Sequence, residues 1–166
     1  MAMKTLSIMA MLAGAAAAQT APFQPSYVVG AGVLYNYWGR TIGTVPAPGF
    51  SGDNTFGARL GSTNVYSYSS INLTAQTAAF STGAAYVFKQ SGNWSLAALG
   101  TAGLVTGSGS AILGQFMAGG MVFYDIGQRL KPGTSAHYYI VGRVNLMNVT
   151  SQTVQPVYGI GFAAGF

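Results

Sequence analysis

The residues best suited to chemistry are few, and His137 comes first because it is the only histidine in the chain. With Asp53 or Asp125 as the orienting acid and one of many serines as nucleophile, His137 could complete a Ser-His-Asp arrangement for acyl transfer. No G-x-S-x-G segment accompanies these residues. His137 instead begins a predicted strand beside a turn, where a structural position at a rim is the more frequent role. The sequence therefore predicts no catalytic site.

The small number of side chains that can bind a metal or a cofactor also argues against such sites. One histidine, two acidic residues and no cysteine cannot supply a multi-ligand metal centre. The glycine-rich segments at 30–39 and 100–114 lack the Lys-Ser/Thr that follows a phosphate-binding loop. The seven basic residues are scattered singly and form no cluster that could follow a phosphate backbone. We expect no cofactor and no nucleic-acid partner.

A second set of polar residues falls on strand positions that we assign to the inside of the fold. An isolated charge in such a place is costly, so these side chains are expected to form a paired, hydrogen-bonded network. A weak anion pathway is the alternative, since bases outnumber acids. The predicted network consists of Arg143, Asn145, Gln115, Lys89 and Asp125.

The composition of the chain is unusually apolar and poor in charge. Half of the residues are hydrophobic and only 5% are charged, against about 25% charged in ordinary soluble domains. Beyond the N-terminus, no stretch offers the roughly 20 consecutive apolar residues of a membrane helix. A closed β-barrel is the other structure that can span a bilayer, because its backbone groups are all paired between strands.

The N-terminus has the pattern of a secretory signal. Lys4 precedes an apolar run from Leu6 to Ala18, and small residues at Ala16 and Ala18 predict cleavage after position 18. The predicted organisation is a signal peptide at 1–18 and one β-barrel domain at 19–166.

The rest of the chain alternates between strand and turn patterns, with no segment of helical periodicity. The longest predicted loop, rich in Gly and Pro, covers 39–54. Whether 55–62 and 64–73 are separate strands is open from the pattern, but an even count brings both termini to one side of a membrane. The eight predicted strands are 27–38, 55–62, 64–73, 78–90, 93–106, 111–125, 135–148 and 153–166.

Within each strand, bulky apolar residues alternate with small or polar ones. In 135–148, for example, Tyr138, Ile140 and Val144 share one face. Aromatic residues recur near strand ends, as expected for rings at two membrane–water interfaces. The opposite faces contain mainly Gly, Ala, Ser and Met, which predicts a narrow and largely closed interior.

The last strand carries a resemblance to a known family. Residues 157–166, VYGIGFAAGF, alternate and end on an aromatic residue, and so resemble the C-terminal signature of bacterial outer-membrane β-barrel proteins. Ala164 departs from that signature, which often has an aromatic there. The architecture is similar to the small eight-stranded members. The resemblance implies an outer-membrane location, contact with outer-membrane lipid, and recognition by the barrel-assembly machinery through Tyr158, Ile160, Phe162 and Phe166.

The fold class predicted is therefore an all-β, eight-stranded antiparallel up-and-down transmembrane barrel. The expected role is structural or a surface interaction, without enzymatic activity and with self-association left open. Two alternatives remain. One is a secreted all-β subunit of an extracellular self-assembly. The other is a membrane-embedded lipid-modifying enzyme that uses His137.

Overall fold

The computed structural model describes residues 25–42, 45–106, 112–126, 136–149 and 154–166. Eight β-strands account for most of these residues, and the described part contains no helix long and apolar enough to cross a membrane. The strands in chain order are β1 (Tyr27–Ile42), β2 (Val45–Ala58), β3 (Val65–Leu73), β4 (Ala78–Ser91), β5 (Trp94–Thr106), β6 (Ile112–Asp125), β7 (His137–Val149) and β8 (Gln155–Gly165).

The strands form a closed antiparallel barrel in which each strand pairs with its neighbours in sequence. The first and last strands complete the ring, from Val28 opposite Gly165 to Tyr35 opposite Tyr158. This up-and-down topology confirms the predicted fold class and strand number. Closure matters energetically because every strand gains a partner on both sides and no sheet edge is left along the paired region.

Two strands are indeed separate where the sequence pattern was ambiguous. β2 ends at Ala58 and β3 begins at Val65, and the turn between them includes Gly61 with a φ of 63°. Glycine adopts this left-handed conformation without the steric penalty that a Cβ would bring. The turn therefore reverses the chain where the sequence had also allowed one bent strand.

The predicted long loop at 39–54 is wrong. β1 continues to Ile42 and β2 begins at Val45, so most of the segment belongs to a β-hairpin. The two strands pair from Tyr27 opposite Ala58 up to Ile42 opposite Val45, with an irregularity between Asn36 and Arg40. Pro46 and Pro48 suggested a loop, but proline is tolerated in strands where its nitrogen is not required to donate to a neighbour.

The alternation of side chains is inside-out compared with a soluble barrel. Ile160 and Phe162 on β8 are 68% and 67% exposed, whereas Val157 and Ala163 on the opposite face are buried. The same alternation of exposed and buried residues runs along the other strands. The outer wall is therefore largely apolar.

The interior is more aromatic than the sequence analysis predicted. Methionines and small residues are present as expected, but Tyr66, Tyr68, Phe123 and Tyr139 also point inward and are buried. A lower cluster that contains these rings lies towards the end of the barrel where β1 begins and β8 ends. An upper cluster that includes Leu34 lies towards the opposite end. Apolar packing thus fills both halves of the lumen.

Candidate functional site

A layer of polar side chains lies between the lower and upper apolar clusters. It is built by inward-facing positions on β2, β3, β4, β5 and β7, because alternation on each strand sends every second side chain into the lumen. Its main members are Asp53, Ser70, Ser81, Thr101, Arg143 and Asn145, all buried.

The centre of this polar layer is an ion pair between Arg143 on β7 and Asp53 on β2. Arg143 Nη2 donates to Asp53 Oδ2, and the two side chains are only 7% and 1% exposed. Arg143 Nη1 also donates to the hydroxyl of Tyr68 at 2.6 Å. A buried cation needs such partners because the surrounding protein replaces the water that would otherwise solvate it. The arrangement ties three strands together across the lumen.

Room for the Arg143 side chain is provided by Gly159 on β8. A Cβ placed on Gly159 would lie 2.7 Å from Arg143 Cγ and would also collide with Leu34. A glycine is therefore required here by close approach, since no heavier residue leaves space for the arginine stem. This explains one of the small residues that alternate with bulky ones in the terminal segment.

Hydroxyl and amide groups extend the polar layer to the neighbouring strands. Ser70 and Ser81 share a hydrogen bond of 2.8 Å, and Asn72 Nδ2 donates to Ser70 Oγ at 3.4 Å. Several buried atoms have no protein partner, including Asp53 Oδ1 and both amide atoms of Asn145. Buried polar atoms of this kind are commonly satisfied by internal water.

The cavities beside the polar layer are small. The lower one, lined by Tyr66, Tyr68, Phe123 and Arg143 among others, offers about 40 Å³ to the centres of water molecules. The upper one, lined by Asn72 and Gln115 among others, offers about 20 Å³. Each water needs about 10–15 Å³ by this measure. These spaces suit a few waters and no large ligand.

The structure places three of the residues predicted for the network inside the lumen and the other two elsewhere. Arg143, Asn145 and Gln115 are buried in the lumen, with Gln115 lining the upper cavity. Lys89 is exposed on the outer surface, contrary to its inward assignment. The pairing of β4 with β5 shifts between Val87 and Lys89, so the alternation that follows is displaced by one residue. A bulge of this kind reverses which side chains face inward.

Asp125 is in the barrel but far from Arg143 along the strands. It lies at the end of β6 and pairs with His137, whose Nδ1 is 2.8 Å from Asp125 Oδ2. The His137 side chain is 32% exposed, and its ring stacks near Tyr139 with centroids 6.3 Å apart. The residues of the adjoining predicted turn, 127–135, lie outside the described residues.

The Asp125–His137 pair supplies the acid and the histidine of the Ser-His-Asp arrangement considered for acyl transfer. Within the described part of the chain, His137 has no hydrogen bond to a serine hydroxyl. The same part contains no group of three or more potential metal-ligating acids, histidines or cysteines. The described geometry at this rim therefore supplies a hydrogen-bonded acid–histidine pair without a positioned nucleophile.

Sequence reasoning did not include Asp53 or Tyr68 in the polar network. Asp53 was considered only as an acid for His137 and falls within the predicted loop 39–54, although Ser51, Asp53 and Thr55 alternate with Phe50 and Phe56 in the manner of a strand. That alternation was the available signal, and the nearby prolines and glycines obscured it. Nothing local in the sequence indicates that Tyr68 meets Arg143.

The residues predicted as an assembly signal share one surface of β8 and the chain end. Tyr158, Ile160, Phe162 and Phe166 are all exposed on the outer wall. The backbone of the terminal residue is fixed to the start of β1, where Phe166 N donates to Tyr27 O at 3.0 Å. Their recognition by assembly machinery stays a prediction.

Comparison with known proteins supports the architecture. No protein-family model and no curated protein matches the sequence. Among solved structures, the chain is similar to the crystal structure of Neisserial surface protein A (NspA), with a TM-score of 0.53 and 13% identity. The similarity covers 85% of this chain and 97% of that one. At this identity, the likeness shows a shared fold: a small closed antiparallel β-barrel.

Proposed function

We propose that the protein is a bacterial outer-membrane β-barrel with a structural or surface-interaction role and a closed lumen. The observation that carries this proposal is the inverted burial of the barrel. Bulky apolar residues such as Val144 and Ile160 are exposed on its outside, while Arg143 and Asp53 are buried within. An apolar outer wall of this extent would be unstable in water but is suited to lipid.

The distribution of aromatic residues supports placement in a bilayer. Trp94 and Tyr124 lie together near the end of the barrel where β1 begins and β8 ends, with ring centroids 4.5 Å apart. Tyr35 and Phe50 lie towards the other end, 5.2 Å apart. Amphipathic rings near both ends are typical of barrels whose ends lie at membrane–water interfaces.

The orientation follows from the usual arrangement of single-chain bacterial barrels, in which both termini are periplasmic. The β1–β2 hairpin then faces the outside of the cell. Its upper part, from Asn36 to Phe50, extends above the last pairs of β1 with β8 and of β2 with β3. In the surface-interaction role, this hairpin is one element that projects towards a partner.

A closed lumen distinguishes this proposal from a pore. The Arg143–Asp53 pair bridges the lumen, and apolar side chains pack above and below it. Eight-stranded barrels generally have interiors filled by their own side chains. The predicted anion pathway has no support in these contacts, so the interior acts as a rigid structural core.

Two measurements test this proposal. After expression in a bacterium with an outer membrane, the protein should sediment with the outer-membrane fraction and migrate faster on a gel when unboiled than when boiled. In planar bilayers, the folded protein should show no stable conductance. Recovery in the soluble secreted fraction would contradict the membrane assignment, and a steady channel would contradict the closed lumen.

Recognition by the barrel-assembly machinery forms part of the proposal. Phe166 is exposed, and so are the three large outward residues of β8, Tyr158, Ile160 and Phe162, whereas the outward Ala164 is small. Deletion of Phe166 should lower the outer-membrane yield in cells but leave refolding into detergent largely intact. An equal loss in both assays would show that Phe166 acts only through stability.

A lipid-modifying activity is the second candidate, and the Asp125–His137 pair is the observation that favours it. An acid bonded to Nδ1 orients the imidazole so that Nε2 can act as a base. His137→Ala should then abolish a change in lipid acylation that the intact protein produces in the same membranes. Identical lipid profiles with and without the protein would remove this candidate. The other alternative, a secreted all-β subunit that buries its apolar faces against copies of itself in an extracellular assembly, predicts recovery outside the outer-membrane fraction in the sedimentation test.

A further inference from the structure

A single cation, Lys89, lies on the outer wall because the regular pairing of two strands is interrupted beside it. The pairing of β4 with β5 shifts between Val87 and Lys89, and Lys89 is exposed near the end of β4. An extra residue in a strand re-aims the side chains that follow it. Gln90, the next residue, is buried in the lumen. The shift therefore leaves a neutral amide inside the barrel and places the positive charge on the apolar outer wall.

Two aromatic side chains lie beside Lys89 on the same wall. Lys89 pairs with Leu96, and Ser91 pairs with Trp94, so Lys89 and Trp94 occupy diagonal positions on one face of the sheet. Diagonal neighbours are about 7–8 Å apart, within reach of a long side chain. Trp94 pairs in turn with Tyr124, and their rings lie 4.5 Å apart. We call these three residues, Lys89, Trp94 and Tyr124, the basic-aromatic patch.

Each member of the basic-aromatic patch carries at least one hydrogen-bond donor. The ammonium of Lys89 has three, and the indole N–H of Trp94 and the hydroxyl of Tyr124 supply one each. Among the residues that the structure describes, none of the three side chains has a hydrogen-bond or ion-pair partner. Donors on three adjacent strands therefore point to an acceptor outside the protein.

The charge of Lys89 is not neutralised by an acidic side chain of this sequence. The two acids of the sequence are bonded elsewhere, Asp53 to Arg143 in the lumen and Asp125 to His137 at the rim. A lysine on an apolar wall, at the level of aromatic side chains, extends its ammonium towards the lipid headgroups. The anion present at that level is the phosphate group of a phospholipid.

We infer that the basic-aromatic patch binds the phosphodiester group of an anionic phospholipid, in the leaflet at the end of the barrel where β1 begins and β8 ends. The ammonium of Lys89 supplies a charge-assisted hydrogen bond, and the donors of Trp94 and Tyr124 bond to phosphate or ester oxygens. A headgroup with net negative charge is favoured over phosphatidylcholine, whose own cation competes with Lys89 for the phosphate. The inference rests on the proposed membrane location and specifies the lipid that this wall binds.

Arg59 distinguishes such a site from a general attraction between a basic surface and an anionic membrane. It lies at the same end of the barrel, in the turn between β2 and β3, away from Trp94 on β5. Its Nε donates to Thr63 O at 2.8 Å and its Nη2 to Ser62 O at 3.1 Å. Arg59→Gln therefore removes the same charge from the same end as Lys89→Gln, but not from the basic-aromatic patch.

Quenching of Trp94 by brominated lipid tests the inference. In a Trp38→Phe background, Trp94 is the only tryptophan. The protein is refolded into phosphatidylcholine vesicles that contain a minor fraction of phosphatidylglycerol brominated near the headgroup. A second set of vesicles carries the bromine on phosphatidylcholine instead, and the two sets together give the lipid composition in contact with Trp94. We expect phosphatidylglycerol to be enriched there about fivefold over the bulk bilayer, the scale of one basic residue at an anionic surface.

Three variants connect that enrichment to Lys89. Lys89→Gln should abolish it, Lys89→Arg should retain it because the charge is kept, and Arg59→Gln should leave it unchanged. No enrichment in the Trp38→Phe protein, or an equal loss in Lys89→Gln and Arg59→Gln, would overturn the inference while heat-modifiable mobility still supports the membrane barrel. Absence of heat-modifiable mobility before any substitution would overturn both.

Discussion

Arg143 on β7 donates a hydrogen bond to Asp53 on β2, a residue 90 positions earlier in the chain, and both side chains are buried inside the barrel. The strands that carry them are not neighbours in the ring. The contact therefore crosses the lumen and links opposite parts of the wall. It also contains one of the two acidic residues of the whole sequence, so the interior charge balance depends strongly on it.

Removing one partner of this pair should be far more damaging than removing both. Arg143→Met or Asp53→Leu alone leaves an uncompensated buried charge, and we expect each to lower the free energy of unfolding by about 3–5 kcal/mol. The double variant Arg143→Met/Asp53→Leu should lose much less. Urea unfolding in lipid vesicles, followed by gel mobility, measures all three. A double variant as unstable as the sum of the single ones would show that the two side chains act independently.

Gly159 should tolerate no added methyl group, because Arg143 and Leu34 occupy the space that a Cβ would need. We expect Gly159→Ala to destabilise the barrel by about 1–3 kcal/mol, the usual cost of overpacking. Gly52→Ala is the matched control, since its Cβ would meet only Leu73 O at an ordinary 3.7 Å. The same unfolding measurement checks both variants, and equal stabilities would argue that Arg143 can move away from β8.

The polar amide of Asn145 should contribute little to the stability of the barrel. It is 1% exposed, and neither amide atom has a hydrogen-bond partner in the protein. Replacement by leucine, which branches at the same carbon, removes an unsatisfied buried amide, and we expect stability to be unchanged or to rise by about 1 kcal/mol. Marked destabilisation by Asn145→Leu would instead indicate that internal water bonds this amide. Gln115→Leu, in the upper cavity, provides a comparison.

Trp94 should report the depth of the barrel end in the membrane. It lies near the terminal end of the outer wall, beside Tyr124 and 52% exposed, where an interfacial ring is expected. In a Trp38→Phe background, Trp94 is the only tryptophan. Lipids brominated near the headgroup should quench its fluorescence more than lipids brominated near the acyl-chain end. Stronger quenching at the bilayer centre would contradict the placement of this end at the interface.

The alternation of apolar with small or polar residues determined much of this protein at the level of sequence. A strand sends successive side chains to opposite faces, so Ile160 and Phe162 could be assigned to one surface and Arg143 and Asn145 to the other from their spacing alone. The strand number and the turn around Gly92 followed from the same pattern and from turn chemistry. These features are local, and local sequence is sufficient to specify them.

Tertiary structure decided what the local pattern could not. The shift in register after Val87 placed Lys89 outside, because one extra residue in a strand exchanges its two faces. Hairpin pairing made strands of residues 39–42 and 45–54 despite the prolines and glycines of this segment. Closure of the ring brought Asp53 and Tyr68 to Arg143 and left Asp125 with His137 at the rim. Such partnerships depend on strand register around the whole barrel, which no single stretch of sequence contains.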